Sequence, residues 1–245
     1  MFLKESGISY ATIQFLVAPI FTFYQLNDIV LNRKKVSRYL GEYKRVVNDQ
    51  AYTTEQIQTA LQNADHRMRM IILLLASTGC RVGSLPGLTL GNLTKLSNYE
   101  LYRITFYEGT NNEYYTFTTS ECASSVDNYL QYRQRCGEKI SFSENTQKWE
   151  PSETPLIRQQ FDVNDMLQAR NPQPLKLRAL FRALVGHLVK CGLRQVEHPT
   201  APNSTKRVRK AISLSNGFRK HVISTFIEAQ LSHEIRELIV DHATN

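Results

Sequence analysis

Leu73-Leu74-Leu75-Ala76-Ser77-Thr78-Gly79-Cys80-Arg81 decides how the rest of this 245-residue chain is read. The stretch closes a strongly apolar segment that begins near Asp65 and reads as a helix. Gly79 stops that helix, because glycine takes the left-handed backbone of a helix end without steric cost. Two residues later a permanent cation leads straight into a second apolar patch, Leu85 to Leu93. A guanidinium among apolar side chains is unfavourable unless an anion or a set of carbonyls meets it. Two readings stand open for Arg81: a structural arginine that pairs with a carboxylate or caps carbonyls, and an arginine that holds a phosphate.

Upstream of this stretch, Thr53-Thr54-Glu55-Gln56 offers an N-cap for a helix through Leu61. Residues 9 to 24 carry Ile13, Leu16, Val17, Ile20, Phe21 and Tyr24 at helical spacing behind Ser9 as N-cap. Pro19 predicts a kink or a break into two short helices there, and Asn27-Asp28 ends the run. A short helix through Lys34 to Leu40 follows, with Arg33, Lys34, Lys35 and Arg38 as a basic cluster at its start. So few turns make no core of their own. Residues 1–48 are therefore a small helical unit, joined through polar Asn48 to Thr54 to a larger domain, 49–245.

Downstream, Leu101 to Tyr107 alternates in the period of a half-buried strand, and Glu113 to Thr119 mirrors it. Gly109-Thr110-Asn111-Asn112 between them predicts a β-hairpin with asparagine in left-handed turn positions. Helices are expected at Cys122 to Cys136, where Val126, Tyr129 and Leu130 form a stripe, and at Leu175 to Cys191. A final helical stretch is expected from Gly217 through Asp241. Residues 137 to 174 carry no pattern that places them. The fold class is mainly α with a small antiparallel β-sheet, α+β.

Thirty Lys and Arg against 22 Asp and Glu give a formal net charge of +8. Between Met166 and Lys220 there are twelve basic residues and one acid, Glu197, or +11, which leaves 18 − 21 = −3 for the remainder. The positive charge is thus local, and a nucleic-acid surface is its simplest reading, with a solvated basic face as the plain alternative. Cys80, Cys122, Cys136 and Cys191 lie far apart, which argues against a zinc site or a disulfide framework and for a reduced, cytoplasmic protein. His66, His187, His198, His221 and His233 have no ligand-like spacing, so no metal is expected. Gly83, Gly87 and Gly91 recur near Arg81, but no phosphate-loop motif accompanies them, and no cofactor is assigned. The longest apolar run, Met70 to Ala76, is too short to cross a bilayer.

Breaking a phosphodiester without a metal requires that the negative charge on its non-bridging oxygens be met as phosphorus becomes five-coordinate. Arginine suits this task, since its planar fork makes two parallel charge-assisted hydrogen bonds and stays charged at any working pH. Arg219, in Asn216-Gly217-Phe218-Arg219-Lys220-His221, is the second candidate after Arg81.

Thr78 to Arg81, a T-G-x-R box followed by Leu85, Leu88 and Leu93, resembles the first arginine box of tyrosine recombinases and integrases. Arg219 matches the arginine of the second box, and His242 in Asp241-His242 matches the histidine of the later G-H step. Thr118 to Cys122, Tyr-Leu-Gln-Tyr-Arg behind it, Gly137-Glu138-Lys139 and Gly-Phe-Arg-Lys at 217–220 look like the archaeal branch. The resemblance covers about residues 5 to 245. It implies a small helical core-binding domain and a larger catalytic domain that close on duplex DNA, as in integrases of mobile elements. It implies cleavage without metal or ATP, through a 3′-phosphotyrosyl link made by a tyrosine. It further implies that two arginines hold the phosphate, that histidines and a hairpin lysine move protons, and that a homo-tetramer is the active species on DNA. Arg33, Lys34, Lys35, Lys206, Arg207, Arg209, Lys210 and Lys220 are the expected DNA contacts, chiefly to the backbone.

Three departures accompany the resemblance. Asn111 stands at the position of the hairpin lysine and cannot act as a general acid. Asn216 replaces the histidine of the second box; it can donate a hydrogen bond to phosphate but exchanges no proton near neutral pH. All twelve tyrosines lie at or before Tyr132, whereas the resemblance puts the nucleophile about ten residues after His242. The expectation is a truncated recombinase that binds DNA without cutting it. A non-enzymatic DNA-binding or regulatory protein derived from an integrase is the alternative. A metal-dependent nuclease would need clustered carboxylates, which the candidate segments lack.

Overall fold

The structure, a computed structural model, describes residues 10–40, 50–195 and 211–240. The chain divides into two units, Met1–Asn48 and Asp49–Asn245. In the first, α1 (Tyr10–Leu26) runs unbroken through Pro19. The proline removes one main-chain donor, and the helix continues around it rather than splitting into two. It ends where Asp28 turns left-handed (φ 58°) and the Ile29 N–H reaches back to the Tyr24 carbonyl at 2.9 Å. In α2 (Arg33–Leu40), the Arg33 guanidinium lies 5.2 Å from the Phe21 ring centre. Lys34 and Lys35 are exposed beside it. The Ser9 cap lies outside the described residues.

The second unit is built around α4 (His66–Thr78), which follows α3 (Thr54–Gln62). A reciprocal capping box between Thr53 and Gln56 starts α3, and the Asp65 carboxylate starts α4 by accepting from the Met68 N–H at 2.7 Å. Met70, Ile71, Ile72, Leu74 and Leu75 are each 0% exposed and Leu73 5%, so the middle of α4 is covered on every side. A helix apolar all round is what a central position demands. Gly79 ends it with φ 61°.

The sheet has three antiparallel strands, β1 (Leu93–Leu96), β2 (Leu101–Phe106) and β3 (Tyr114–Phe117), in the order β1-β2-β3. Leu93 pairs with Ile104, and Phe106 with Tyr114. The two hairpin arms follow the alternation in the sequence, while β1 is hidden in it as the tail of an apolar patch. The left-handed residues of the hairpin turn are Tyr107 (φ 53°) and Gly109 (φ 76°), not the asparagines. Thr110 and the Glu113 carboxylate tie the loop to its own main chain, which leaves the asparagines in ordinary turn conformations.

Helix α5 (Ser120–Arg135) packs along α4 and is capped by the Thr119 hydroxyl. Residues 137 to 174 form a second hairpin, β4 (Ser141–Ser143) with β5 (Lys148–Glu150), and a short helix α6 (Met166–Arg170). They are organised by a buried triad rather than by an apolar pattern. The Glu138 carboxylate accepts from Arg133 Nε at 3.0 Å and from Arg158 at 2.5 Å, and all three side chains are shut from solvent. Arg133 also donates to the Pro155 and Leu156 carbonyls, so the ion group carries the hydrogen bonds that buried charges require.

Helix α7 (Leu177–Lys190) buries Leu180, Leu184 and Leu188 at a spacing of four. The single helical stretch expected after Gly217 is two helices, α8 (Asn216–Glu228) and α9 (His233–Val240). Gln230 turns left-handed (φ 57°) between them, and Ser232 caps the second with its hydroxyl and carbonyl. No glycine or proline marks this break. Among the described residues no helix is long and apolar enough to cross a membrane.

The start of α8 is fixed from far away in sequence. The Tyr52 N–H donates to the Gly217 carbonyl at 3.2 Å, and the Tyr52 ring lies 4.5 Å from that of Phe218. A Cβ on Gly217 would come within 2.6 Å of Ile212 Cγ2 and 2.7 Å of the Tyr52 ring. Gly217→Ala is therefore expected to destabilise the second unit by about 1–3 kcal/mol, as overpacking does, measured by urea unfolding. An unchanged midpoint would mean that the Tyr52 contact is not a tight one.

Candidate active site

The T-G-x-R box begins inside the last turn of α4. The Thr78 hydroxyl donates to the Leu74 carbonyl at 2.6 Å and accepts from the Cys80 N–H at 3.2 Å, which stiffens the exit from the helix. Arg81 then opens a 3₁₀ turn, Val82–Gly87, whose start is tied by Ser84, with its N–H and hydroxyl both donating to the Arg81 carbonyl. Leu85, Leu88 and Leu90 are buried after it, while Arg81 itself is exposed. The chain thus solves the burial problem posed by its sequence by anchoring the neighbours and leaving this cation at the surface.

Arg219 is the opposite case, 9% exposed within the first turns of α8. One arm of its guanidinium donates to the Gly79 carbonyl at 2.9 Å, and the other donates to the carbonyl of Val240, the last residue of α9. Gly79 caps the C-terminal end of α4, where unpaired carbonyls and the helix dipole both favour a cation. Arg219 therefore reaches the main chain two residues from Arg81, a chain distance of at most about 7 Å. The two arginines, 138 positions apart (219 − 81), are brought to one corner of the second unit.

Asn216 is exposed at the first position of α8, three residues before Arg219 and so on the same face. Lys220 is half-buried. Asn111 is exposed in the turn between β2 and β3. His242 and the basic run Lys206, Arg207, Arg209 and Lys210 lie outside the described residues.

Three features of this region are not among the individual site residues assigned from the sequence. His221 binds the Tyr52 carbonyl through Nδ1 at 3.0 Å, a second pin on α8. Helix α7 packs against the 3₁₀ turn that Arg81 opens and holds Lys176, Arg178, Arg182 and Lys190 exposed at or beside its ends and outer face. The signal for those cations was present, since a stripe at 180, 184 and 188 leaves 178 and 182 on the other side. The third is the Val240 carbonyl, a main-chain partner that no side-chain pattern announces.

No group of three or more His, Cys, Asp and Glu side chains suited to a metal occurs among the described residues. Burial pushes the Cys80 thiol up, against the pull of the Thr78 and Ser84 hydroxyls and the nearby Arg219 charge. Burial likewise pushes the Cys122 thiol up to about 12.

No protein-family model matches the chain, and no curated protein matches it. Solved structures do. An XerA recombinase aligns with a TM-score of 0.54 and 16% identity over 99% of this chain and 71% of its own. XerH site-specific recombinase bound to difH substrate aligns at 0.58 and 14% over 99% of this chain, which spans 62% of that protein, less than two thirds. The Tn1549 transposon integrase in complex with a circular intermediate DNA gives 0.62 and 16% over 99% of this chain and 74% of its own. At such identities the likeness is one of fold, and the chain has the fold of the tyrosine recombinase catalytic domain.

The thiols offer a direct check on the packing of the T-G-x-R box. Cys80 and Cys122 are buried and held protonated, whereas Cys136 and Cys191 are half-exposed. With a disulfide reagent near pH 8, two thiols are expected to react promptly and two only on unfolding. Prompt reaction of all four would mean that the end of α4 is open.

Proposed function

We propose that this chain is the DNA-holding and phosphate-clamping body of a tyrosine recombinase of the archaeal integrase type, acting in site-specific recombination or integration of a mobile element. The observation that carries the reading is the Arg219 guanidinium on the Gly79 carbonyl, which sets the second arginine beside the turn of the first. It gains weight from the fold shared with recombinases solved on DNA. On this reading Arg81 and Arg219 clamp the non-bridging oxygens of the scissile phosphate, and Asn216 adds a neutral hydrogen bond to it. His242 moves a proton at the later step, while Asn111 stands where a lysine would serve the leaving oxygen and supplies none.

The reading makes residues 1–48 part of a core-binding domain and 49–245 the catalytic domain. Arg33, Lys34, Lys35, Lys206, Arg207, Arg209, Lys210 and Lys220 meet the backbone of double-stranded DNA, joined by the exposed cations of α7. The chemistry is metal-independent breakage and rejoining through a phosphotyrosyl link, carried out by a homo-tetramer on DNA. On this reading the chain binds DNA, and within these 245 residues no tyrosine follows Arg219.

One observation favours a second reading, a non-enzymatic DNA-binding protein derived from an integrase. Arg219 is buried with two of its donors on main-chain carbonyls, a structural employment. Mutants separate the two. Arg81→Ala is expected to leave the unfolding midpoint within about 0.5 kcal/mol of the parent, as surface changes do. It should weaken duplex binding about tenfold and lower the salt slope by roughly one. Binding and slope unchanged by Arg81→Ala would remove the phosphate clamp and leave the second reading. Strand breakage that depends on added Mg²⁺ would overturn both.

A further inference from the structure

The outer face of the three-stranded sheet in the second unit carries side chains that the core does not use. Alternation sends Tyr102, Ile104 and Phe106 of β2 and Thr116 of β3 inward, each 0% exposed. It sends Arg103 outward, and with it Tyr115 and Phe117, which are 49% and 40% exposed. The register groups them, since Arg103 pairs with Phe117 across the β2–β3 ladder and Thr105 pairs with Tyr115. Half-buried Thr94, Leu96 and Leu101 complete the face, and no acid stands on it.

The outward groups are available to a ligand. No ion pair or hydrogen bond to a described residue engages the Arg103 guanidinium. Tyr115 and Phe117 meet edge to face, with ring centres 5.8 Å apart and planes 79° apart. One ring of the pair can therefore lie flat under a planar group while the other offers its edge. The acids of the adjoining turns lie off the strands; Glu113 accepts from the Gly109 N–H at 2.7 Å, and Glu100 precedes β2.

The dimensions choose among partners. Three strands about 4.8 Å apart, the longest of six residues at about 3.4 Å each, give a face of roughly 10 by 20 Å. That is about 200 Å², far below the roughly 800 Å² per partner of a stable protein interface. The face suits something narrow that carries planar apolar groups and negative charge together. An unpaired nucleic-acid strand has both, in bases that stack on aromatic rings and in phosphates that draw a cation. A duplex keeps its base faces inside its own stack and offers the phosphates alone.

We infer that this face of the sheet is a stacking platform for an unpaired DNA strand, with a base lying on the Tyr115–Phe117 pair and the Arg103 guanidinium meeting the adjacent phosphate. The choice of DNA over RNA rests on the proposed function; the stacking does not. The platform is separate from the arginine corner, which holds a phosphate without reading a base.

Fluorescence anisotropy of the whole chain with a labelled oligothymidylate about twelve nucleotides long, beside a G·C-rich duplex of the same length, tests the inference. The double variant Tyr115→Ile with Phe117→Ile keeps apolar cover suited to a strand and removes both rings. It is expected to weaken oligothymidylate binding about tenfold, with duplex affinity and the unfolding midpoint as in the parent. Tyr115→Phe, which keeps the ring, should bind as the parent does, and Arg103→Ala should weaken strand binding and flatten its salt dependence. Strand affinity unchanged in the double variant overturns the inference, as does an equal loss on the duplex. Tighter binding of oligouridylate than of oligothymidylate would assign the face to RNA, and a dimer of the free chain that the double variant dissolves would assign it to a second copy; either result also overturns it. Duplex binding indifferent to Arg81→Ala removes the phosphate clamp and leaves the platform standing, so the two readings fail separately.

Discussion

One guanidinium holds the arginine corner together. Arg219 projects from α8 and donates to carbonyls at the ends of α4 and α9, so three helices meet on a single side chain. The geometry depends on a missing atom as much as on the charge. A Cβ on Gly79 would sit 3.2 Å from Val240 and 3.3 Å from Val222, at a left-handed backbone angle that favours glycine in any case. Glycine lets the helices approach, and the approach brings the carbonyls within reach of the cation. The orphaned carbonyls at the end of α4 need a donor, and a buried guanidinium needs acceptors. Each deficit answers the other.

The main-chain position of Arg81 follows from that joint. Its main chain starts two residues past the carbonyl that Arg219 holds, and Ser84 fixes the turn that follows. Structural and phosphate-binding readings of Arg219 are consequently not exclusive. A clamp must be rigid before substrate arrives, and a guanidinium held by main-chain oxygens is already oriented. The pinning of α8 by Tyr52 and His221 extends the same logic outward, since it fixes the helix that carries the arginine.

Much of this was legible from the chain alone wherever the deciding interaction is local. The stop at Gly79, the cap at Thr53, the helix start near Asp65 and the hairpin arms of β2 and β3 each rest on residues within a few positions of one another. What failed to show is non-local or main-chain in origin. Strand β1 exists because β2 is there to pair with it, and its four residues carry no alternation of their own. The break between α8 and α9 falls at Gln230, a left-handed residue with no glycine to mark it. Residues 137 to 174 stayed unreadable because their organiser is ionic. Arg133 nevertheless gave a sign, lying on the buried stripe of α5 with Cys122, Val126, Tyr129 and Leu130. A charge on an apolar stripe asks for a buried partner, and Glu138 supplies it.

The chemistry of the candidate site separates holding from turning over. Asparagine at 111 and 216, on the proposed reading, occupies positions where proton exchange would be needed, and an amide keeps hydrogen bonds while giving up protons. Arginine at 81 and 219 is likewise a group that binds and never titrates. His221, the ionisable neighbour two residues past Arg219, has its Nδ1 engaged with the Tyr52 carbonyl, which directs that nitrogen to structure. On the proposed reading these four positions carry groups that would hold a phosphate and exchange no proton with it. The step that turns fixation into bond exchange calls for a proton donor and a nucleophile, and both functions belong to other groups than these four.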